Sequence, residues 1–325
     1  MGEELKKVVI LGTGGTISGK GEAGKTTGYS AGSMPVEDII ASAPGIEKLA
    51  RLEGEQVCNV ASDNITAKNL IHIARRINEL AKDPDICGFV ITHGTDTMDE
   101  TAFFLNLTVK TDKPVVITGA MRPATATSAD GPLNIYQAVL TAACPQARGK
   151  GVMVVFSDRI YGGRDVQKRN TYMVTALDQV EGGLLGVIRD EEIHWYYEST
   201  RPHTLKSEFD VSGLEHLPVV RVMYFHIDCD PALPAKLAEG ADGLVVASAG
   251  AGGVSKEIGK ALSELGIPVV TSSRISSGVI TQNAADRTKA VAADNLPPQK
   301  AAILLRLALT VSTERDEIIR IFRTY

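Results

Sequence analysis

The chain has 325 residues, 44% of them hydrophobic and 22% charged; that balance excludes disorder, and the length suggests two domains at about 150 residues each. Its net charge of −5 argues against a nucleic-acid groove or a polybasic membrane face, both of which need an excess of Lys and Arg. No apolar run reaches the ~20 residues of a bilayer span, and the one N-terminal candidate, Val8 to Leu11, is too short for a leader core.

In chain order, short β-branched runs bounded by Gly, Pro or polar residues alternate with helical patterns. KVVIL at 7–11, GFVIT at 88–92, VVIT at 115–118 and VMVVF at 152–156 suit strands buried on both faces. Residues 66–82 place Leu70, Ile73, Ala74, Ile77, Leu80 and Ala81 on one helical face. Asn64 or Thr66 can cap that helix, and Asp83-Pro84 ends it. Further helices are expected over 96–107 and 132–144. Strand, helix and strand in succession give a parallel sheet with right-handed crossovers.

From about 190 to 218 the chain turns polar, with Glu191-Glu192, Arg201-Pro202 and His203 and no sustained period, which places a linker there. A second array follows, with strands at 219–224, 243–247 and 268–271 and helices at 233–239 and 256–265. Helices over 298–310 and 313–322 close the chain. The expected fold class is α/β: two doubly wound domains, a larger N-terminal and a smaller C-terminal one, each with a mainly parallel sheet. Their expected bounds are 1–195 and 219–325, joined by a linker over 196–218. Cys58, Cys87, Cys144 and Cys229 are scattered, with no pair at zinc-ligand spacing, and read as core thiols.

Two glycine-rich stretches invite a nucleotide reading. GKGEAGKT at 19–26 satisfies G-x-x-x-x-G-K-[ST] at every position, but a phosphate loop also needs a strand ending at its first glycine and a helix starting at its lysine. Here the strand ends at Leu11, and TGYSAGSMP lets no helix begin before about Pro35. Nucleotide hydrolysis, with Asp158 holding magnesium, stays as a rival. The bland reading is a glycine-rich mobile loop suited to a lid. GTGG at 12–15 is a poor dinucleotide fingerprint, because Ile17 stands where the third glycine belongs.

Chemistry in open α/β sheets gathers at the carboxyl ends of strands. Three such ends are loaded: Thr13 and Thr16 after KVVIL; His93, Thr95, Asp96 and Thr97 after GFVIT; and Asp165 and Lys168 in GGRDVQK after VMVVF. A threonine hydroxyl is a weak nucleophile and needs a base or a charged neighbour. A lysine beside it can accept its proton when partly desolvated, while an aspartate fixes the lysine in place. Each residue alone has a plainer reading. Thr16 can cap a turn, Lys168 can be a solvated surface lysine, Asp96 can cap the next helix, and His93 reads better as a structural imidazole than as a base. No G-x-S-x-G elbow and no H-E-x-x-H occurs.

Together, GTGGTIS at 12–18, THGTDTMDETAFFL at 92–105, GAMRP at 119–123, SADGPLN at 128–134 and GRDVQK at 163–168 closely resemble the bacterial L-asparaginase family. The likeness runs along almost the whole chain, to NLPPQKAAILLRLAL and a C-terminal aromatic. It implies roles position by position. Thr16 matches the nucleophile and Tyr29 the lid tyrosine that polarises it. Ser62 and Asp63 match the pair that grips the α-carboxylate and α-amino group. Thr95, Asp96 and Lys168 match the second threonine with its charged partners, and Ala120 the carbonyl near the side-chain amide. The implied reaction is amide hydrolysis through a tetrahedral oxyanion and an acyl-enzyme, with L-asparagine as substrate and L-glutamine as alternative. No metal or organic cofactor is implied. The implied assembly is a homotetramer, a dimer of dimers, with no nucleic-acid or membrane partner.

The sequence departs from that family at several points. Position 63 is Asp where Gln or Glu is more usual, a shorter reach to the substrate ammonium. Where relatives complete the pocket from a neighbouring subunit, this chain has Ala251 and Gly253 in AGAGGVS, and Ala285 at the carboxylate position with Asp286 beside it. A ligand-binding relative with weak turnover is therefore a second reading. Asp83 and Thr111 occupy the places of a disulfide found in secreted relatives, with Cys87 nearby. Its absence favours a reducing compartment, so a cytoplasmic chain is expected; a secreted chain shorn of its leader reads the same way.

Overall fold

The computed structural model describes residues 5–325 except Thr27, Gly28, Ala31, Ser33 and Val180, and for Tyr29 and Ser30 the backbone alone. It divides into two compact units, 1–213 and 214–325.

In the first unit, β1 (Lys7–Gly14) leads through a hairpin of β2 (Lys20–Gly21) and β3 (Tyr29–Ser30) to α1 (Val36–Ala41). β4 (Arg51–Val60), α2 (Ala67–Leu80), β5 (Ile86–Thr92) and α3 (Met98–Thr108) follow. Next come β6 (Val115–Thr118), α4 (Gly131–Ala143) and β7 (Val152–Phe156). The unit closes with β8 (Arg159–Gly162), a ribbon of β9 (Val166–Lys168) and β10 (Leu177–Gln179), and a hairpin of β11 (Gly186–Arg189) and β12 (Glu192–Trp195). The main sheet has the order β12-β11-β8-β7-β6-β5-β1-β4. β4, β1, β5, β6 and β7 are parallel, and β8, β11 and β12 run antiparallel at the other edge.

The central strands are apolar on both faces, as strands covered by helices on each side must be. Val8, Ile10, Val90, Val116, Met153 and Val155 pack with Val36 and Ile39 of α1 and Ile135, Ala138 and Val139 of α4. α2 is capped by Thr66 through a reciprocal box: Asn69 N donates to Thr66 Oγ1, and Thr66 N donates to Asn69 Oδ1. It buries Leu70, Ile73, Ala74 and Ile77, the face expected from their spacing. Just before β5, Lys7 Nζ donates to Asp83 Oδ2 at 3.0 Å, Asp85 N to Asp83 Oδ1 at 2.9 Å and Lys113 Nζ to the Asp83 carbonyl at 2.5 Å. No helix among the described residues is long and apolar enough to cross a membrane.

The second unit is an all-parallel sheet, β13 (Val220–Tyr224), β14 (Gly243–Ser248), β15 (Val269–Ser273) and β16 (Val291–Ala292), in sequence order. α5 (Leu233–Ala238) and α6 (Lys256–Ser263) cover one face, where Leu233, Leu237, Ile258 and Leu262 meet Met223, Leu244 and Val246. α7 (Gln282–Ala285), α8 (Pro298–Ala308) and α9 (Arg315–Thr324) complete the unit. A Cβ added to Gly243 would lie 2.9 Å from Leu305 of α8, so strand and helix meet there backbone to side chain.

Sequence expectation and structure differ mainly at edges. β4 is a ten-residue strand with no apolar run, and the polar stretch from Asp190 holds β12. The cap of α3 is Thr97, not Asp96, which lies outside the helix.

Candidate active site

The strand order reverses at β1, whose neighbours are β4 on one side and β5 on the other, and a crevice at such a switch point is where α/β sheets take ligands. The loops leaving β1, β4, β5 and β6 carry most of the candidate residues.

Glycines bring the first three loops together. Gly14 and Gly15 have φ of 102° and 83°, a region that L side chains avoid. A Cβ on Gly14 would lie 2.4 Å from the Val60 carbonyl oxygen at the end of β4, and one on Gly15 would lie 2.3 Å from Gly94 N beyond β5. A Cβ on Gly94 would in turn fall 2.8 Å from the Ser62 side chain. Thr16 and Thr95 are thus the residues next along from two glycines in backbone contact. Thr16 opens a short 3-10 turn and is 8% exposed.

Ser62 is buried in the turn after β4, and its Oγ accepts from Asp96 N at 3.3 Å. Its carbonyl accepts from Thr97 Oγ1 at 2.7 Å, which joins the β4 and β5 loops a second time. Asp63 beside it is exposed, with the Asn64 amide 3.3 Å from its carboxylate.

Lys168 arrives on β9, outside the main sheet. Its Nζ donates to Thr95 Oγ1 at 2.8 Å and to Asp96 Oδ1 at 2.5 Å, across more than seventy residues of chain. The lysine side chain is 16% exposed and its carboxylate partner 68% exposed, so the carboxylate is the side of the pair that faces solvent. Asp165 pairs with Arg164 at 3.3 Å. The Thr95 hydroxyl donates to the Met121 sulfur at 3.3 Å.

His93 is fully buried. Its Nδ1 lies 2.7 Å from the Gly94 carbonyl and its Nε2 lies 3.0 Å from Thr101 Oγ1, so Nδ1 carries the proton and Nε2 accepts from the threonine. Burial holds its pKa below the ordinary histidine value. The ring braces the β5 loop and has no free nitrogen for chemistry.

Ala120, after β6, is fully buried; Gly131 packs against both it and Ile17, the residue following Thr16. Tyr29 pairs through its backbone with Gly21, and its side chain lies outside the described residues. Sequence reasoning gave no role to Asp130, which accepts from Met121 N and Arg122 N at 2.9 Å each and so shapes the GAMRP loop. Its only signal was its place in SADGP.

The GKGEAGKT stretch forms part of the β2–β3 hairpin, and the next helix is α1, capped by Pro35. Gly24 N donates to the Thr125 carbonyl and Ala124 N to the Gly19 carbonyl, so this backbone is engaged with the 124–126 segment rather than turned toward a phosphate. Asp158 holds Gln137 Nε2 at 2.7 Å and Arg189 at 3.5 Å. No group of three or more His, Cys, Asp or Glu among the described residues is placed to hold a metal ion. In the second unit, Ala249 and Gly253 exchange backbone hydrogen bonds around Ala251, Ala285 is buried in α7, and Asp286 is bound to Gln282 and Arg315.

Comparison with known proteins places this arrangement. Residues 7–201 match the family described as "Asparaginase, N-terminal", and residues 219–322 match "Glutaminase/Asparaginase C-terminal domain". L-asparaginase 2 of Bacillus subtilis (strain 168) is 44% identical over 99% of this chain and 88% of its own length. Glutaminase-asparaginase of Pseudomonas fluorescens biotype A is 42% identical, covering 99% and 91%. A crystal structure of a probable cytoplasmic L-asparaginase from Campylobacter jejuni matches with a TM-score of 0.95 at 41% identity, over 98% of this chain and 100% of that one. The class is that of two-unit α/β proteins whose larger unit carries a mainly parallel sheet with a switch point at its first strand. Within it, the chain belongs to the asparaginase family.

Proposed function

We propose that the chain hydrolyses L-asparagine to L-aspartate and ammonia. The observation that carries this reading is the contact of Lys168 Nζ with both Thr95 Oγ1 and Asp96 Oδ1, beside the loop that bears Thr16. Thr16 attacks the amide carbon, polarised by Tyr29, and the carbonyl oxygen becomes a tetrahedral oxyanion. Thr95, with Lys168 and Asp96, passes a proton to the departing nitrogen, the proton lost by the Thr16 hydroxyl replaces the one Thr95 gives, and ammonia leaves an acyl-enzyme. Water then attacks the ester and releases aspartate. Ser62 and Asp63 hold the α-carboxylate and α-ammonium, and the Ala120 carbonyl accepts from the side-chain amide.

Relatives named glutaminase-asparaginase and the short reach of Asp63 favour L-glutamine as a second substrate. The assembly proposed is a homotetramer of two dimers. A cytoplasmic location is proposed from the absence of the disulfide positions and from the name of the Campylobacter jejuni structure, set against a Haemophilus influenzae relative named as periplasmic.

Steady-state ammonia release from asparagine and glutamine tests the reading. Thr16→Ala and Thr95→Ala are each expected to lose at least ~10²–10³-fold in kcat, the effect of removing one well-aimed group from a transition state. A parent chain that frees no ammonia from either amide overturns it.

A further inference from the structure

The Thr95 hydroxyl has a neighbour that none of these roles uses. Lys168 Nζ donates into its oxygen at 2.8 Å, and the hydroxyl itself donates to the Met121 sulfur at 3.3 Å. A hydroxyl carries one proton. With an ammonium occupying one lone pair, that proton leaves in another direction, and the direction taken is the thioether. Sulfur is a weak acceptor, so the proton is aimed without being held fast.

We infer that Met121 is a positioning residue for Thr95, its sulfur setting where the Thr95 proton points, and that oxidation of this one thioether shuts the site down. The inference rests on the amide-hydrolysis reading of the same site.

Methionine is usually a pliable gap-filler. Here its backbone is pinned. Met121 N and Arg122 N both donate to the Asp130 carboxylate at 2.9 Å, and Asn134 Nδ2 ties Asp130 at 3.2 Å to the Gly119 carbonyl at 3.0 Å. Gly119 lies so close to β5 that an added Cβ would come within 2.3 Å of the His93 carbonyl oxygen. The sulfur is therefore delivered to Thr95 by a braced loop.

Oxidation changes the acceptor. A peroxide breaks its O–O bond and transfers one oxygen to sulfur; the sulfur loses two electrons, and the other oxygen leaves as water. The product is a polar sulfoxide. Its oxygen holds the Thr95 proton and competes with Asp96 for Lys168. Met121 and Met34 are half-buried, whereas Met98, Met153 and Met223 are buried.

Kinetics and peroxide treatment together test this. Met121→Leu is expected to lower kcat ~2-fold at unchanged KM, the low end of what one hydrogen bond is worth, since sulfur is a weak acceptor. Met121→Gln, which puts a stronger acceptor at the same place, should cost at least ~10-fold. Dilute peroxide should inactivate the parent, and methionine sulfoxide reductase, but not a thiol reductant, should restore it. Met121→Leu should survive the same treatment, while Met173→Leu, altered at an exposed methionine, should be inactivated like the parent. A Met121→Leu enzyme with parental kcat, or one inactivated as fast as the parent, overturns the inference. A readout independent of turnover separates it from the hydrolysis reading: the ¹³C-methyl resonance of Met121 should move in Thr95→Val. If it does not move, the inference fails whatever the substrate; if it moves while the parent chain frees no ammonia from asparagine or glutamine, the hydrolysis reading alone fails.

Discussion

The two units both end their parallel strands in hydroxyls spent on backbone, and the larger unit adds one hydroxyl, on Thr95, that is not. In the smaller unit Ser248 Oγ donates to the Ser272 carbonyl at 2.6 Å, Ser272 to the Leu296 carbonyl at 2.7 Å and Ser273 to the Gly250 carbonyl at 2.7 Å. All three are spent on backbone. In the larger unit Thr13 and Thr118 are spent the same way, on Thr92 and Val155. Thr95 differs, because its partners are the side chains of Lys168 and Met121. At Thr95 a charged side chain from a distant segment, and not a neighbouring carbonyl, reaches the hydroxyl. β9, which lies outside the main sheet, supplies that side chain.

Removing the distant side chain should erase the contrast. Lys168→Met is expected to cost at least ~10²–10³-fold in kcat. The melting temperature should barely move, because the carboxylate partner is largely solvated and such pairs contribute little. A variant with near-parental kcat would show that Thr95 is no different from Ser272.

A smaller effect comes from acid. His93 and His203, both buried in the larger unit, have pKa values held below the ordinary one mainly by burial. The unfolded chain binds protons as the pH falls through ~6.5, while the folded one does not. Stability is therefore level above that pH and declines below it, by up to ~1.4 kcal/mol per pH unit for each histidine, until the folded-state pKa is reached. Urea melts between pH 7.5 and 5 check this, with hydrogen exchange locating the first loosening in the larger unit. A flat profile would contradict the neutral, doubly engaged ring.

The smallest effect belongs to a spent hydroxyl. Ser272→Ala should cost ~0.5–1.5 kcal/mol of stability and leave kcat per folded molecule unchanged. A large kinetic effect there would dissolve the distinction between the units.

The sequence made the centre of the fold legible and its margins less so. Val115–Thr118 and Val152–Phe156 form the strands expected of them, because a strand covered on both faces has no choice but to be apolar. β4 escaped notice because it is an edge strand, half-exposed along its length and interrupted by Glu53, Gly54 and Glu55. β12 escaped for the same reason, as the antiparallel edge opposite. At the site, the hydroxyl-rich strand ends could be read from residue type alone. The glycine contact that joins the Thr16 and Thr95 loops could not, since GTGG and HGT say nothing of one another without the strand order. The sulfur acceptor was hidden too: a methionine in a motif reads as packing until a hydroxyl is found pointing at it.

Asp83 and Thr111 flank the span that includes β5, the His93–Thr97 loop and α3, and the Asp83 end is held by lysines and amides instead of a covalent link. A cross-link restrains a chain even when it is unfolded; an ion pair does not. This span therefore begins folding with all its conformational freedom, and ordering it has to be offset by burial. Met98, Ala102, Phe103, Phe104, Leu105 and Leu107 of α3 supply that burial, each at 1% exposure or less. Cohesion of that kind ignores thiol reductants and weakens in the cold, so chilling, not reduction, is the stress that loosens this span.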